Sequence, residues 1–220
     1  MKLFFHHCSQ GFSNCYVLGT DFPPDTPSSV PGSKPKESSL PKEAIIIDPG
    51  NMDSNLLNLI EKNDYTLKGI LVTHDHLHHV RGVITLMRIY NTKVYAINPV
   101  VCGYPATIVR DGEKISIGPF KVEVFSIPGH SADSAVYKID RFLFTGDVMN
   151  AGLMGNTGSS YAAANQVSAL RKKILSLPGD YKIFPGHGPP SSLEAERRFN
   201  LDLNFFEHRK NRRPFLGIEL

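Results

Sequence analysis

Thr73-His74-Asp75-His76-Leu77-His78-His79 decides how this chain is read, because four of its nine histidines crowd into that stretch directly after an apolar run. Strand ends are where a sheet delivers ligands to a crevice, and imidazoles two residues apart converge on one ion when the backbone is extended or turning. A solvated polar loop is the plain alternative. Histidine at this density, with an aspartate among it and at a strand-to-helix junction, points instead to metal. Three other segments have one form, an apolar strand entering a glycine turn that carries a single ligand candidate. They are Phe125-Ser126-Ile127-Pro128-Gly129-His130, Phe142-Leu143-Phe144-Thr145-Gly146-Asp147 and Ile183-Phe184-Pro185-Gly186-His187-Gly188. Each glycine allows close backbone approach or positive φ, so the ligand rides on a rigid turn. Together with the histidine cluster they read as parts of one centre.

Outward from these segments, Lys2 to His7, Asn14 to Leu18 and Ala44 to Asp48 read as consecutive antiparallel strands, the last ending in the turn Asp48-Pro49-Gly50. Then helix (Asn55 to Lys62), strand (Gly69 to Thr73), helix (Val80 to Tyr90) and strand (Lys93 to Ile97) alternate as βαβ. A meander follows in Thr107 to Val109, Lys114 to Ile117, Lys121 to Ile127, Ala135 to Ile139 and Phe142 to Thr145. The chain closes with helix (Tyr161 to Leu175), strand (Tyr181 to Phe184) and a helix from Ser191 to about His208. Two β-rich runs, each ending in βα units, predict an α/β fold: two mixed sheets face to face with helices outside, a four-layer αββα sandwich in a single domain over residues 1–220. The Pro/Ser-rich residues 21–43 read as a flexible insertion that projects away from the site, so that shortening it leaves metal binding intact.

Composition excludes several classes. Hydrophobic residues make up 41% and charged residues 20% of the 220, an ordinary globular balance far from that of a disordered chain. No stretch approaches the roughly 20 apolar residues of a membrane span, and Leu3-Phe4-Phe5 stops at His6-His7, so a cytoplasmic protein without membrane attachment is expected. Cys8, Cys15 and Cys102 form no CxxC pair, which fits a reducing compartment; Cys15 and Cys102 read as small core residues. A net charge of +3 is too mild to call for nucleic acid, which leaves a small-molecule substrate as the expected partner. The basic end Arg209, Lys210, Arg212 and Arg213 suits a solvated helix terminus better than a nuclease.

In chain order, His-x-His-x-x-His, His130, Asp147 and His187 resemble the ligand pattern of the metallo-β-lactamase superfamily of metal-dependent hydrolases, over essentially the whole chain. Thr145-Gly146-Asp147, Leu177-Pro178-Gly179-Asp180, Phe184-Pro185-Gly186-His187-Gly188-Pro189-Pro190 and Glu196-Arg197-Arg198-Phe199-Asn200 are similar to its glyoxalase II (hydroxyacylglutathione hydrolase) branch, as are Asn14-Cys15-Tyr16 and Asp48-Pro49-Gly50. The resemblance implies one metal site from His74, His76 and His130, a second from His79 and His187, and Asp147 bridging them. It implies two zinc ions, with iron or manganese as alternatives, and hydroxide on the metal attacking a thioester or related acyl carbonyl, with His74, His76 and Asp147 as the catalytic residues.

The chain departs from that pattern at His78, where the family carries an aspartate ligand of the second site. An imidazole there removes a negative charge and an oxygen donor; His78 either remains a ligand with altered metal preference or leaves the second site weak or empty. Asp75 should point away from both flanking histidines and act as a supporting partner. Met154-Gly155-Asn156-Thr157-Gly158 differs from the family's Ile-Gly-Arg-x-Asp, which puts glutathione specificity in doubt. The similar persulfide dioxygenases imply an alternative, one iron held by His74, His130 and Asp147; a nuclease and a non-catalytic metal-binding domain are further ones. One of His6 and His7 should face inward, Phe12 reads as ordinary loop packing with a cover over substrate as the alternative, and Tyr161, Asn165 and Gln166 could border the pocket.

Overall fold

The computed structural model describes residues 1–20 and 42–204. Most of the 21–43 insertion, the end of the last expected helix and the basic cluster at 209–213 lie outside the described residues. Antiparallel β1 (Lys2–Cys8), β2 (Ser13–Gly19) and β3 (Lys42–Ile47) lead into α1 (Ser54–Lys62), which Asp53 caps by accepting from the Asn55 and Leu56 amides at 2.9 and 3.0 Å. β4 (Tyr65–Leu71) then pairs parallel to β3, followed by α2 (Leu77–Val80), α3 (Val83–Ile89) and β5 (Val94–Ala96), which is parallel to β4. A hairpin of β6 (Val100–Val101) and β7 (Tyr104–Pro105) precedes β8 (Thr107–Ile108), giving a first sheet ordered β1-β2-β3-β4-β5-β8.

The second half supplies β9 (Lys114–Ile117), β10 (Phe120–Ser126), β11 (Ala135–Ile139), β12 (Phe142–Gly146), α4 (Ser160–Leu170), β13 (Lys182–Pro185), β14 (Ser191–Ser192) and α5 (Leu193–Phe199). Their sheet runs β14-β13-β12-β11-β10-β9, antiparallel except where β13 returns parallel to β12 after α4. The expected two mixed sheets are therefore present.

Strand periodicity decides which residue meets which layer. Ile45 and Ile47 of β3 face the second sheet with Tyr16, Leu18 and Leu71, against Val122, Val124, Tyr137 and Phe144. Their neighbours Ala44 and Ile46 face the other way, onto Leu56 and Ile60 of α1 and Val83 and Leu86 of α3. Val136, Leu143 and Ile183 turn outward to Val167, Leu170, Ile174 and Leu193 on the far helical layer. Both faces of each sheet are buried, so the layers stack helix, sheet, sheet, helix. No described helix is long and apolar enough to cross a membrane.

Element ends differ from expectation where tertiary contacts intervene. The helix expected over Val80 to Tyr90 is two pieces broken at Gly82, whose amide donates to Pro49 O at 2.8 Å and where a side-chain carbon would come within 2.6 Å of that oxygen. The helix expected to Leu175 ends at Leu170 and finishes in a π-turn, Arg171–Leu175. Ser191 and Ser192 add a short edge strand before α5, with Ser192 Oγ capping at Ala195 N.

Candidate metal centre

Because β3 and β4 are parallel, their carboxyl ends emerge side by side, and this brings Asp48 to Thr73. Asp48, held at φ 49°, accepts from the Thr73 amide at 2.7 Å and from Thr73 Oγ1 at 2.6 Å. With its own hydrogen given to Asp48, Thr73 Oγ1 accepts from His74 Nδ1 at 3.1 Å, which leaves His74 Nε2 with a free lone pair. His130 is set the same way: Nδ1 donates to Asn156 O at 2.7 Å, so Nε2 is the free atom. These two Nε2 atoms lie 3.0 and 3.1 Å from His76 Nδ1.

That convergence tests whether the residues suit a cation. A proton on His76 Nδ1 serves one neighbour only, whereas an ion about 2.0–2.1 Å from each nitrogen would space tetrahedral ligands about 3.3 Å apart and satisfy all three. The donor set fits. Around the buried Asp147 carboxylate stand four more approaches to Oδ2: His79 Nε2 at 3.4 Å, His130 Nε2 at 3.6 Å, and His74 and His78 Nε2 at 3.8 Å. Among the described residues neither ring nitrogen of the fully buried His79 has a partner in good hydrogen-bond geometry, although Asp48 Oδ2 stands 3.3 Å from Nδ1. Two groups of donor atoms, each lying within 4.8 Å of one another, could each hold an ion: His74, His76 and His130, and His74, His78, His79 and Asp147.

Charge in the metal-free centre is uneven. Burial and the neighbouring His79 lower the His74 pKa to about 3. Burial also opposes protonation of His79, but Asp147 and Asp48 outweigh it and raise its pKa to about 9. Burial pushes the Asp147 carboxyl up, yet His187 and His79 hold it well below the usual carboxylate range. His76 and His78 are lowered by burial first, then by His130 and His79 respectively.

The structure brings His74, His76, His78, His79, His130 and Asp147 together. His187 joins them differently: Nδ1 bonds Asp147 Oδ1 at 2.8 Å and Nε2 faces Gly11 O at 3.3 Å, outside both donor groups. Asp75 turns away as expected, accepting from the Cys102 amide at 3.1 Å. His6 is the inward member of its pair but faces Asp53 at 3.3 Å, away from the centre. Phe12 is 72% exposed on a positive-φ turn, with its ring beside that of His7 at a centroid distance of 6.2 Å. Cys15 is core, whereas Cys102 is half-buried at a hairpin turn. Gln166 is buried on Val148 O at 2.9 Å, while Tyr161 and Asn165 are exposed.

Sequence reading missed the supports. Asn14 donates from its amide to Gly186 O at 2.7 Å and from Nδ2 to Pro185 O and Gly188 O at 3.0 and 2.8 Å, and Tyr16 OH adds a bond to Pro185 O at 2.7 Å. Both clamp the turn carrying His187. Asp48 supports Thr73 and His79 as described. The motifs Asn14-Cys15-Tyr16 and Asp48-Pro49-Gly50 were visible, but their partners were not.

Comparison with known proteins gives one direction. Residues 40–187 match the metallo-beta-lactamase superfamily. A hydroxyacylglutathione hydrolase of Francisella tularensis subsp. tularensis is 40% identical over 181 residues, covering 80% of this chain and 71% of that protein. Among solved structures, the BLEG-1 B3 metallo-beta-lactamase superposes with TM-score 0.75 at 25% identity, covering 92% of this chain and 99% of its own. ETHE1 from Myxococcus xanthus superposes with TM-score 0.73 at 22% identity, covering 97% and 93%.

Proposed function

The chain belongs to the metallo-beta-lactamase superfamily and is a metal-dependent hydrolase, and from that premise we propose that it cleaves a thioester or related acyl bond in the manner of glyoxalase II. The observation that carries the reading is the meeting of His74 Nε2, His76 Nδ1 and His130 Nε2 beside an Asp147 oxygen that also faces His78 and His79. In this proposal His74, His76 and His130 would hold one ion and His78, His79 and Asp147 a second, with His187 bonded to the other Asp147 oxygen. Zinc suits these nitrogen and carboxylate donors. A divalent ion bound there supplies Lewis acidity toward a carbonyl and acidifies water to a pKa near about 7.

The protein's own residues do the rest. Thr73 and Asn156 fix the tautomers of His74 and His130, so both present unprotonated nitrogens without reorganising. Asp147 stays ionised because His187 and His79 surround it. His78 and His187 are about one-third exposed at the side chain, which marks the face from which substrate approaches. In this proposal water is the nucleophile; Cys8 and Cys15 are buried, and burial pushes both thiols up. The inter-sheet core shared by the two halves supports reading the described residues as one domain.

An acylglutathione thioester, the class suggested by the Francisella relative, is the first substrate to try. The zinc-loaded protein is expected to hydrolyse at least one member of a thioester, ester and lactone panel, read as free thiol for the thioesters and as acid release for the esters and lactones; inactivity across the panel overturns the reading. A second reading rests on one observation: His74 and His130 Nε2 lie 3.8 and 3.6 Å from Asp147 Oδ2, a two-histidine, one-carboxylate set suited to a single iron. Oxygen uptake with glutathione persulfide by an iron-loaded sample would favour it.

A further inference from the structure

Residues 152–156 separate the histidine cluster from the C-terminal helix, and no regular strand or helix runs through them. On one side, Asn156 O holds His130 Nδ1 at 2.7 Å, and at Gly155 any side chain would overlap the Asp147 carbonyl. On the other, the chain is tied to residues 196–202. Glu196 of α5 accepts from the Gly152 amide with both oxygens at 3.1 Å, Leu201 N donates to Gly152 O at 2.9 Å, and Asp202 Oδ2 accepts from the Met154 amide at 2.8 Å. Glu196 is itself buried and steadied by Ser191 Oγ at 2.5 Å and Asn200 Nδ2 at 2.7 Å.

We propose that Glu196 and Asp202 are positioning residues of the metal centre: by anchoring the 152–156 segment they keep Asn156 O on His130 Nδ1 and thereby aim His130 Nε2 at His76. Apart from an isolated bridge between Asn150 and Leu153, with bonds of 2.9 and 3.4 Å, the segment has no ladder to fix it, so its bonds to α5 and residues 201–202 govern where that carbonyl sits. Partners that orient a ligating imidazole typically change metal affinity by about 10–100-fold when removed. The inference rests on the metal centre proposed above, and the experiment separates the two.

Full-length protein, stripped of metal, is titrated with cobalt(II) against a competing chelator, with the visible spectrum and the thermal melt recorded on each sample. Asp202→Ala is expected to weaken binding of the ion held by His130 roughly ten-fold or more and to alter its spectrum, while the other ion is little changed. Asp202→Asn, which keeps an acceptor oxygen for the Met154 amide, should recover most of the affinity. Arg197→Ala is the structural control: its guanidinium bonds Leu175 O, Leu177 O and Gly179 O on another side of α5, so it should lower the melting temperature without moving cobalt affinity. Should Asp202→Ala fail to fold, Glu196→Gln carries the same comparison with a smaller loss in the same ion. Affinity unchanged in folded Asp202→Ala or Glu196→Gln protein, or lost equally in Arg197→Ala, overturns the positioning role. Failure of the natural protein to bind cobalt at all overturns the metal centre itself.

Discussion

His78 is held in place more firmly than its exposed ring suggests. Ser13 Oγ donates to its carbonyl at 2.5 Å, and at Gly11, with φ +91°, a side-chain carbon would lie 2.5 Å from His78 Cβ. The backbone is thus pressed toward the centre, and the longer imidazole reaches within 3.8 Å of Asp147 Oδ2. Elemental analysis should find that His78→Ala lowers bound metal by about one ion per chain, and that His78→Asp, which restores an oxygen donor, does not. Equal metal in the natural and alanine proteins would remove His78 from the ligand set. His79 carries a pH signature in the metal-free protein. Its pKa rises from 6.5 to about 9 on folding, so its contribution to stability is complete below about 6.5 and is lost as pH climbs through about 9. His74 works in the opposite sense: lowered to about 3, it disfavours the fold as pH falls below 6.5. Melts of metal-free protein should therefore peak near about pH 6.5 and decline on the alkaline side, and metal should flatten that alkaline decline by replacing the His79 proton. A melting temperature that rises steadily from pH 7 to 9 without metal would contradict the assignment.

At the scale of elements, the centre is made by strand ends. β3 and β4 deliver Asp48 and Thr73, while β12 and β13, also parallel, deliver Asp147 and His187, with Gly186 N bonded to Gly146 O at 2.8 Å. Gly186 lies so near this junction that an added methyl would overlap Asp147 Oδ1 and stand 2.5 Å from His79 Cε1. Gly186→Ala is accordingly expected to keep its far-ultraviolet circular dichroism but lose tight metal binding by at least ten-fold, since Asp147 and His79 must both shift. Full metal affinity in that variant would show the contact to be easily relieved. Strand-turn-ligand segments were legible in the chain because each is local. The break between α2 and α3 was not, because it is imposed by Pro49, far away in sequence.

Across the whole molecule, the two described ends of the long insertion meet at the end of β3 remote from Asp48. Thr20 N donates to Glu43 O at 2.8 Å and Glu43 N to Thr20 Oγ1 at 2.9 Å, closing the base of that insertion at one end of β3, and Asp48 lies just beyond the other. Replacing residues 21–41 by a short turn should leave metal content and cobalt spectrum unchanged, because the β2–β3 register closes without them. Loss of metal from a folded, shortened protein would show that the insertion reaches the centre. Closure of the centre is likewise a property of the two sheets together: Asn14 and Tyr16 of the first hold Pro185, Gly186 and Gly188 of the second.

Fold class and ligand candidates were both legible in the chain, because alternating apolar strands, glycine turns and clustered histidines are encoded over a few adjacent residues. Even the outward turn of Asp75 followed from that short-range geometry. It took the folded chain to show that His78 faces Asp147, that His187 meets Asp147 through Nδ1, that Asp48 stands against both Thr73 and His79, and that residues 196–202 bond the segment behind His130. These depend on strand register and on the packing of two sheets. Such pairings join residues as far apart as Asn14 and Gly188, and no local spacing records them.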